Sequence, residues 1–507
     1  MSKHTIEQGE RLSESIIWSL QRRFFEERGV SAWSRHIVPN FPTTNAAIAR
    51  SYARLIEAWV ADIQPEQPVC IVELGAGPGR FAYLCLQQLS IPCRYVMTDV
   101  AERNIEFWQN HRHLRPLISM GQLDFARFDA ETDETITLRI SRKTLADSPI
   151  VVIANYVFDG LLQDAFQVRS GCLEEGRTHL TASGPEPDLD DANLISRLTM
   201  SLRYAPIERR PYYEEADIDS ILEEYPQRMS SGRFGFPVAT LRCIRRLLAL
   251  SGGQMLLLST DKGYNHLHQL DGRDSTSLTR HGSFSFMVNY DAIGRYVVQQ
   301  GGTALLSTAR TGTLEGGAFL FGPGDHSQTR AAFRDHIEAL SPADFFQLYQ
   351  ALISLESPSL SLSLTILRMS NFDPVVFHRL HIKMLAPAAV ALPSLKQVLR
   401  DSLDRVWKNF YPIGPSQDVP FAIGRTLHRM GHLSSALGRY QSSLDIYGPH
   451  AATFYNMGSC FHQLGELSLA VDYLERSLKE DPEYTRASEK LVLVKQEHSS
   501  STVRSLR

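Results

Sequence analysis

Apolar residues through 44–63 recur at three- and four-residue spacing: Ala47, Ile48, Tyr52, Leu55, Ile56 and Trp59. That period predicts a helix with one buried face. Residues 10–30 carry a second helical signal, and Pro39, Asn40, Phe41 and Pro42 break the chain between the two. The period then changes. VCIVEL (69–74) is a short apolar, β-branched run ending in a glycine cluster, the pattern of a strand buried on both faces. Helical character follows in RFAYLCLQQL (80–89), a strand in CRYVMTD (93–99), a helix in AERNIEFWQNH (101–111) and strands in LDFARFDA (123–130) and PIVVIAN (149–155). MLLLST (255–260) reads as a further strand, preceded by a helix over 237–250 that Pro237 can open, and strands near 284–289, 303–308 and 317–321 complete the set. Alternating β and α units predict an α/β fold with a doubly wound, mostly parallel sheet. Residues 160–236 interrupt the alternation. They are rich in Asp, Glu, Pro and Ser around 183–192 and aromatic around 203–213, and read as a lid or substrate-recognition insertion.

From about 327 the strands stop and helical patterns dominate. Gly424, Leu427, Gly431, Ala436, Tyr440 and Ser443 are matched 34 residues later by Gly458, Phe461, Gly465, Ala470, Leu474 and Ser477. This period, with small residues where paired helices approach, resembles the tetratricopeptide repeat (TPR). Repeats are placed at 417–450 and 451–484 with a final helix near 485–498, and helices at 342–356 and 394–410 add stacked surface. The chain is thus read as an N-terminal helical segment (1–65), an α/β domain (66–326) with its insertion (160–236), a helical region (327–416) and an all-α, TPR-like end (417–498). Stacked helix pairs make concave surfaces, which implies a protein or peptide partner.

Composition narrows the function classes. Of 507 residues 43% are hydrophobic, and 56 acids against 52 bases leave a net charge of −4. That balance gives no electrostatic reason to expect nucleic acid. The clusters Arg209–Arg210 and Arg242, Arg245 and Arg246 are too short to change this, and read as solvated faces. The polar start lacks the apolar core of a signal peptide, and no apolar run nears the roughly 18 residues of a bilayer span, so a cytoplasmic protein without membrane insertion is expected. The six cysteines are scattered without CxxC spacing, which fits reduced thiols. His266 and His268 lack a third ligand at recognisable spacing, so no metal is assigned. Neither a Gly-Lys-Ser/Thr phosphate loop nor a Gly-x-Ser-x-Gly elbow is present.

The chemistry concentrates at Glu73-Leu74-Gly75-Ala76-Gly77-Pro78-Gly79-Arg80. A glycine-rich turn after a first strand lets the backbone approach a ligand. A dinucleotide site wants G-x-G-x-x-G, but here the third glycine position holds Arg80 and the spacing is G-x-G-x-G. With Glu73 two residues ahead, E-x-G-x-G-x-G resembles motif I of the class I methyltransferases. The resemblance implies a Rossmann-like methyltransferase sheet and S-adenosyl-L-methionine as cofactor. It gives Glu73 the methionine amino group and passes the loop of Gly75, Ala76, Gly77 and Gly79 beneath the ribose. Asp99 ends the second strand, where a carboxylate can accept from both ribose hydroxyls. Asp129 resembles the acid that pairs with the adenine amino group; Asp124, at the strand's start, is the weaker choice, and a solvated loop aspartate is the plain alternative.

The fourth strand runs into Ala154-Asn155-Tyr156-Val157-Phe158-Asp159-Gly160-Leu161, which lines the methyl-transfer pocket in that fold. The Asn-Pro-Pro-aromatic motif of amino-methyltransferases acting on DNA bases or glutamine is absent. Asn155, Phe158, Asp159, Leu161 and then Phe166 resemble the Asn-Glu-Phe-Phe-Asp-Ala-Leu-Pro signature of the MidA-like methyltransferases. The mitochondrial members of that family support complex I assembly and methylate an arginine. LLLSTDKGY (256–264) and SFSFMVNYDAIGRYV (283–297) are similar to two further family segments. The family's glutamate is Tyr156 here and its Leu-Pro is Leu161-Leu162, which removes a carboxylate that a guanidinium substrate would use. The resemblance places Asn155, Tyr156 and Asp159 at the acceptor, Asn155 also beside the cofactor, with Asp159 orienting or deprotonating the acceptor; a helix cap is the plain alternative for Asn155 and Asp159. The expected function is a methyltransferase acting on a protein docked by the repeats. The alternatives are an adaptor that uses the methyltransferase fold as a scaffold, and a small-molecule methyltransferase.

Overall fold

Among the described residues the first part of the molecule carries, in chain order, β1 (Lys3–Arg11), β2 (Val69–Glu73), β3 (Cys93–Asp99), β4 (Leu123–Arg127), β5 (Ile150–Asn155), β6 (Asp164–Arg169), β7 (Cys172–Ser183), β8 (Leu198–Pro206), β9 (Ser231–Phe236), β10 (Met255–Tyr264), β11 (Thr279–Arg280), β12 (Phe284–Ser285), β13 (Val288–Asn289), β14 (Thr303–Leu306) and β15 (Leu314–Phe321). The computed structural model describes residues 2–39, 41–280, 282–308, 314–339, 341–414 and 417–505, so Asn40 of the expected break lies outside the described residues. The chain forms two units, Met1–Phe346 and Gln347–Arg507.

The main sheet has the order β4-β3-β2-β5-β10-β15-β14. Its first five strands are parallel. β15 runs antiparallel to β10, and β14 antiparallel to β15, so the sheet is mixed. Strands β2 and β5 and the first half of β10 read as continuous apolar runs because both faces are covered; Ile71, Val72, Val152 and Leu257 are buried. From β2 the chain winds outward to β3 and β4, then returns to place β5 on the other side of β2. That reversal is a topological switch point, and ligands of open α/β sheets bind outside the carboxyl ends of the strands there.

The insertion is a second sheet. β1, β7, β6 and β9 lie side by side with β8 also on β7, all antiparallel. The N-terminal segment is therefore not wholly helical: Lys3–Arg11 is a strand whose register runs from Lys3 opposite Ser183 to Arg11 opposite Arg177. Its conformation is set by a distant partner, which overrides local preference. The helix that follows is shorter than the sequence suggests, Ile17–Arg28, and Gly29 (φ 47°) ends it by donating to Phe25 O at 2.8 Å. The helix Ala46–Ile63 begins at Asn45, whose Oδ1 accepts from Ala47 N and Ile48 N at 3.0 Å. The segment expected as one strand at 284–289 is instead two short pairings, β12 with β11 and β13 with β10. Phe284 and Phe286 turn onto Trp18, with ring centroids 5.5 Å away in each case. Helical residues after 326 do not begin a new unit at once. Asp62 of Ala46–Ile63 accepts from Gln328 N (3.1 Å), Thr329 N (2.8 Å) and Thr329 Oγ1 (2.7 Å), which ties Ser327–Phe333 to the first unit.

The second unit is all helical among the described residues. It contains the successive pairs Val419–Arg429 with Leu433–Tyr447 and Ala451–Gln463 with Leu467–Glu480, followed by Thr485–Ser505. Glycine is required where the paired helices meet. A Cβ on Gly424 would lie 2.7 Å from the Tyr440 ring, and one on Gly458 would lie 2.9 Å from Leu474 Cγ. Ser443 Oγ donates to Asp418 Oδ2 at 2.5 Å, and the equivalent Ser477 donates to Ala451 O at 2.8 Å. Gly424→Val is expected to destabilise this unit by about 1–3 kcal/mol through overpacking, read as a lower denaturant midpoint of the intact chain. An unchanged midpoint would mean that the pair is not closely packed there. Among the described residues, no helix is long and apolar enough to cross a membrane.

Candidate functional site

At the end of β2 the backbone turns through Gly75 (φ 57°), Gly77 (φ 53°) and Gly79 (φ 76°), conformations that side chains other than glycine's adopt at a cost. Space restricts the turn further. A Cβ on Gly75 would lie 3.1 Å from Val157 Cγ2, and one on Gly77 3.1 Å from Trp33 Cζ2. Ala76 N donates to Thr98 O (2.9 Å), Gly79 N to Ala76 O (2.9 Å) and Trp108 Nε1 to Gly77 O (2.8 Å). Asp99 binds the turn from β3: its carboxylate accepts from Gly77 N (3.1 Å), Ala101 N (2.9 Å) and Asn104 Nδ2 (2.9 Å). Burial outweighs these donors and raises its pKa.

Two adjoining clefts open at this end of the sheet. The larger, about 550 Å³, is bounded by Gly75, Asp99, Phe128, Asp129 and Glu131 on the sheet side and by Ile17–Arg28 and Trp33 on the other. Its size suits a nucleoside-scale ligand. The smaller, about 100 Å³, is bounded by Glu73, Gly75 to Pro78, Asn155, Asp159 and Lys262. Phe25, Trp33, Gly75 and Tyr156 border both. Of the expected residues, Glu73, Gly75, Ala76, Gly77, Asp99, Asp129, Asn155, Tyr156 and Asp159 come together around these clefts. Gly79 borders neither, and instead starts the helix Arg80–Leu86. Asp124 lies elsewhere, accepting from Phe125 N, Ile140 N and Ser141 N.

Glu73 is buried, and its Oε2 accepts from Tyr95 OH at 2.9 Å. Burial pushes its carboxyl up to about 8. The folded protein therefore retains a proton there that the unfolded chain releases at lower pH. The stability so contributed is fully present at acid pH and is lost as the pH rises through about 8. Glu73→Gln is expected to flatten the decline of Tm between about pH 5 and 8, measured by thermal unfolding. A decline identical to that of the parent chain would show that Glu73 is ionised throughout. A ligand ammonium at this position would draw the carboxyl into its charged form.

Asp129 is buried and ion-paired rather than a solvated loop aspartate. Arg22 Nη1 donates to its Oδ2, while Arg22 Nη2 donates to Glu131 Oε2 at 2.8 Å. Glu131 N donates to Asp129 Oδ1 at 2.9 Å. Burial opposes ionisation of Asp129, but Arg22 and the other donors outweigh it and hold the carboxyl below its ordinary range. Asn155 is likewise engaged. Its Oδ1 accepts from Tyr52 OH (2.8 Å) and Thr260 N (3.1 Å), and its Nδ2 donates to Thr43 O (3.2 Å), so it joins β5, β10 and the segment leading into Ala46–Ile63. Tyr156 has φ 53°, a left-handed conformation seldom adopted by an aromatic residue, and its N donates to Thr260 O at 3.2 Å. Asp159 is buried in the turn Phe158–Gly160, and burial raises its carboxyl to about 6.

Sequence reading missed four contributors: Arg22, Trp33, Asp261 and Lys262. Asp261 follows directly on the apolar run read as ending at Thr260; β10 in fact continues to Tyr264, which buries the carboxyl. Arg22 and Trp33 leave no local signal, since their role depends on the N-terminal helix folding over the glycine turn.

No protein-family model and no curated protein matches the chain. Solved structures similar to it include an uncharacterized ACR, a superfamily protein from Burkholderia thailandensis, at 13% identity and TM-score 0.39, covering 63% of this chain and 94% of that one. A second member of that superfamily from the same organism, bound to S-adenosyl-homocysteine, is 14% identical at TM-score 0.38 and covers 64% of this chain and 95% of that one. Magnesium protoporphyrin IX methyltransferase from Synechocystis, with S-adenosyl-homocysteine bound, is 11% identical at TM-score 0.30, covering 60% and 99%.

Proposed function

We propose that the first unit is an S-adenosyl-L-methionine-dependent methyltransferase acting on a protein acceptor, which the helix pairs of the second unit, read as tetratricopeptide repeats, engage. The observation that carries this reading is the convergence of Glu73, the positive-φ glycine turn, Asp99 and Asp129 on adjoining clefts at the switch point of the sheet. These residues fit the cofactor. Glu73 suits the methionine ammonium, the turn leaves room for the ribose, Asp99 retains lone pairs for ribose hydroxyls, and Asp129, steadied by Arg22, faces the adenine end. When bound, the cofactor supplies a sulfonium methyl open to in-line displacement. Trp33, Phe25 and Tyr156 exclude water where the two clefts meet. Asn155 fixes the end of β5, and Asp159 orients the acceptor and takes its proton.

Asp159→Asn is expected to bind S-adenosyl-homocysteine within a few-fold of the parent chain while losing transfer of a labelled methyl by about 100-fold or more. Full turnover with normal binding would remove Asp159 from this role. The adaptor reading draws on one observation, Tyr156 standing where a carboxylate would serve the acceptor. Cofactor binding without transfer, together with a stoichiometric protein partner held equally by Gly77→Arg, would favour it.

A further inference from the structure

Asp159 borders the smaller cleft from the turn after β5, and Asp261, at the extended end of β10, is buried against it. Asp261 Oδ2 accepts from Asp159 N at 3.2 Å and its Oδ1 accepts from Lys262 N at 2.8 Å. The two carboxyl groups also lie within hydrogen-bonding reach of each other, as Ser285 does of Asp159. Asp261 is 0% exposed and Asp159 8%. An ionised carboxylate only accepts, so a carboxyl–carboxyl hydrogen bond requires a proton between the two. The charged neighbour is Lys262 on β10. The other titratable groups facing the pair are Tyr156 from the β5 turn, Tyr52 from Ala46–Ile63 and Tyr290 from Tyr290–Gln299, with Glu315 opposite Asp261 in the β10–β15 register.

We propose that Asp261 is a positioning residue for Asp159: the two share one proton at neutral pH, so an acceptor meets a single negative charge held in place by its neighbour. This rests on the reading of the smaller cleft as the acceptor's entry. The acceptor's proton passes to the Asp159 carboxylate, the pair becomes neutral, and the proton is returned to solvent afterwards. The pair behaves as one titrating unit, as coupled carboxyls do.

Carbon-13 NMR of the full chain labelled at aspartate, titrated between about pH 4 and 8 without any added ligand, tests this directly. The expected result is a carboxyl signal titrating near pH 6 that is absent in Asp159→Asn and moves up in Asp261→Asn, where the O–H that favours the charged Asp159 carboxylate is replaced by a weaker amide donor. If Asp261→Asn does not fold, the Asp261 signal in Asp159→Asn reports the same coupling and is expected to fall. Ionisation of Asp159 in the ordinary carboxylate range in the parent chain, or insensitivity of either residue to loss of the other, overturns the proposal. Calorimetry with S-adenosyl-homocysteine on the same samples reports on the cofactor separately, so failure of the methyltransferase reading is distinguishable from failure of the pair.

Discussion

A Gly77→Arg chain is expected to lose saturable binding of S-adenosyl-homocysteine, by more than about 100-fold, or roughly 2.7 kcal/mol. Three features of the turn act together. Gly77 has φ 53°, so any side chain strains the backbone. Its Cβ would lie 3.1 Å from Trp33, whose ring borders both clefts, so the new side chain displaces either the loop or that wall. Its N donates to Asp99 at 3.1 Å, so moving the loop also loosens the carboxylate read as the ribose acceptor. Calorimetry on the variant, with its unfolding midpoint as a control for folding, checks the expectation. Binding within threefold or so of the parent chain would show that the turn does not carry the ligand.

Trp108→Ala is expected to cost about 3–5 kcal/mol of stability, the usual range for emptying a fully buried aromatic site. Trp108 is 0% exposed and packs on Phe125 with ring centroids 5.8 Å apart. Its Nε1 holds Gly77 O at 2.8 Å, so removal also leaves that carbonyl without its donor. The core and the glycine turn are thus coupled through one side chain. Trp108→Phe keeps most of the volume and loses the hydrogen bond, and is expected to lie between the parent chain and the alanine variant in denaturant unfolding. A cost below about 1 kcal/mol for Trp108→Ala would mean that the indole is not part of the packed core.

The legible parts of this chain are those where a local pattern has a local cause. β2 and β5 stand out because both of their faces are covered, which leaves apolar runs. The turn after β2 stands out because three positive-φ positions in five residues admit little but glycine. The helix pairs of the second unit are marked by Gly424 against Tyr440 and Gly458 against Leu474, where contact excludes a Cβ.

What sequence reading lost is non-local. Lys3–Arg11 is a strand only because Cys172–Ser183 pairs with it. The insertion builds a second sheet that β1 joins, and its polar and proline-rich stretch at 183–192 begins the link from β7 to β8. Arg22 meets Asp129 through the packing of a helix that nothing in its own sequence ties to β4. Asp261 looked like the residue after a strand because a carboxylate is not expected inside one. It is accommodated by hydrogen bonds from Asp159 N and Lys262 N, and by its contact with the Asp159 carboxyl.

The most direct test of the account is calorimetric titration of S-adenosyl-L-methionine and S-adenosyl-homocysteine into the intact chain, with thermal unfolding alongside. The account predicts saturable binding at one site per chain and a rise in Tm that grows with ligand concentration. No heat and no shift at about 1 mM of either compound would contradict it, since a site of this construction should be appreciably filled there.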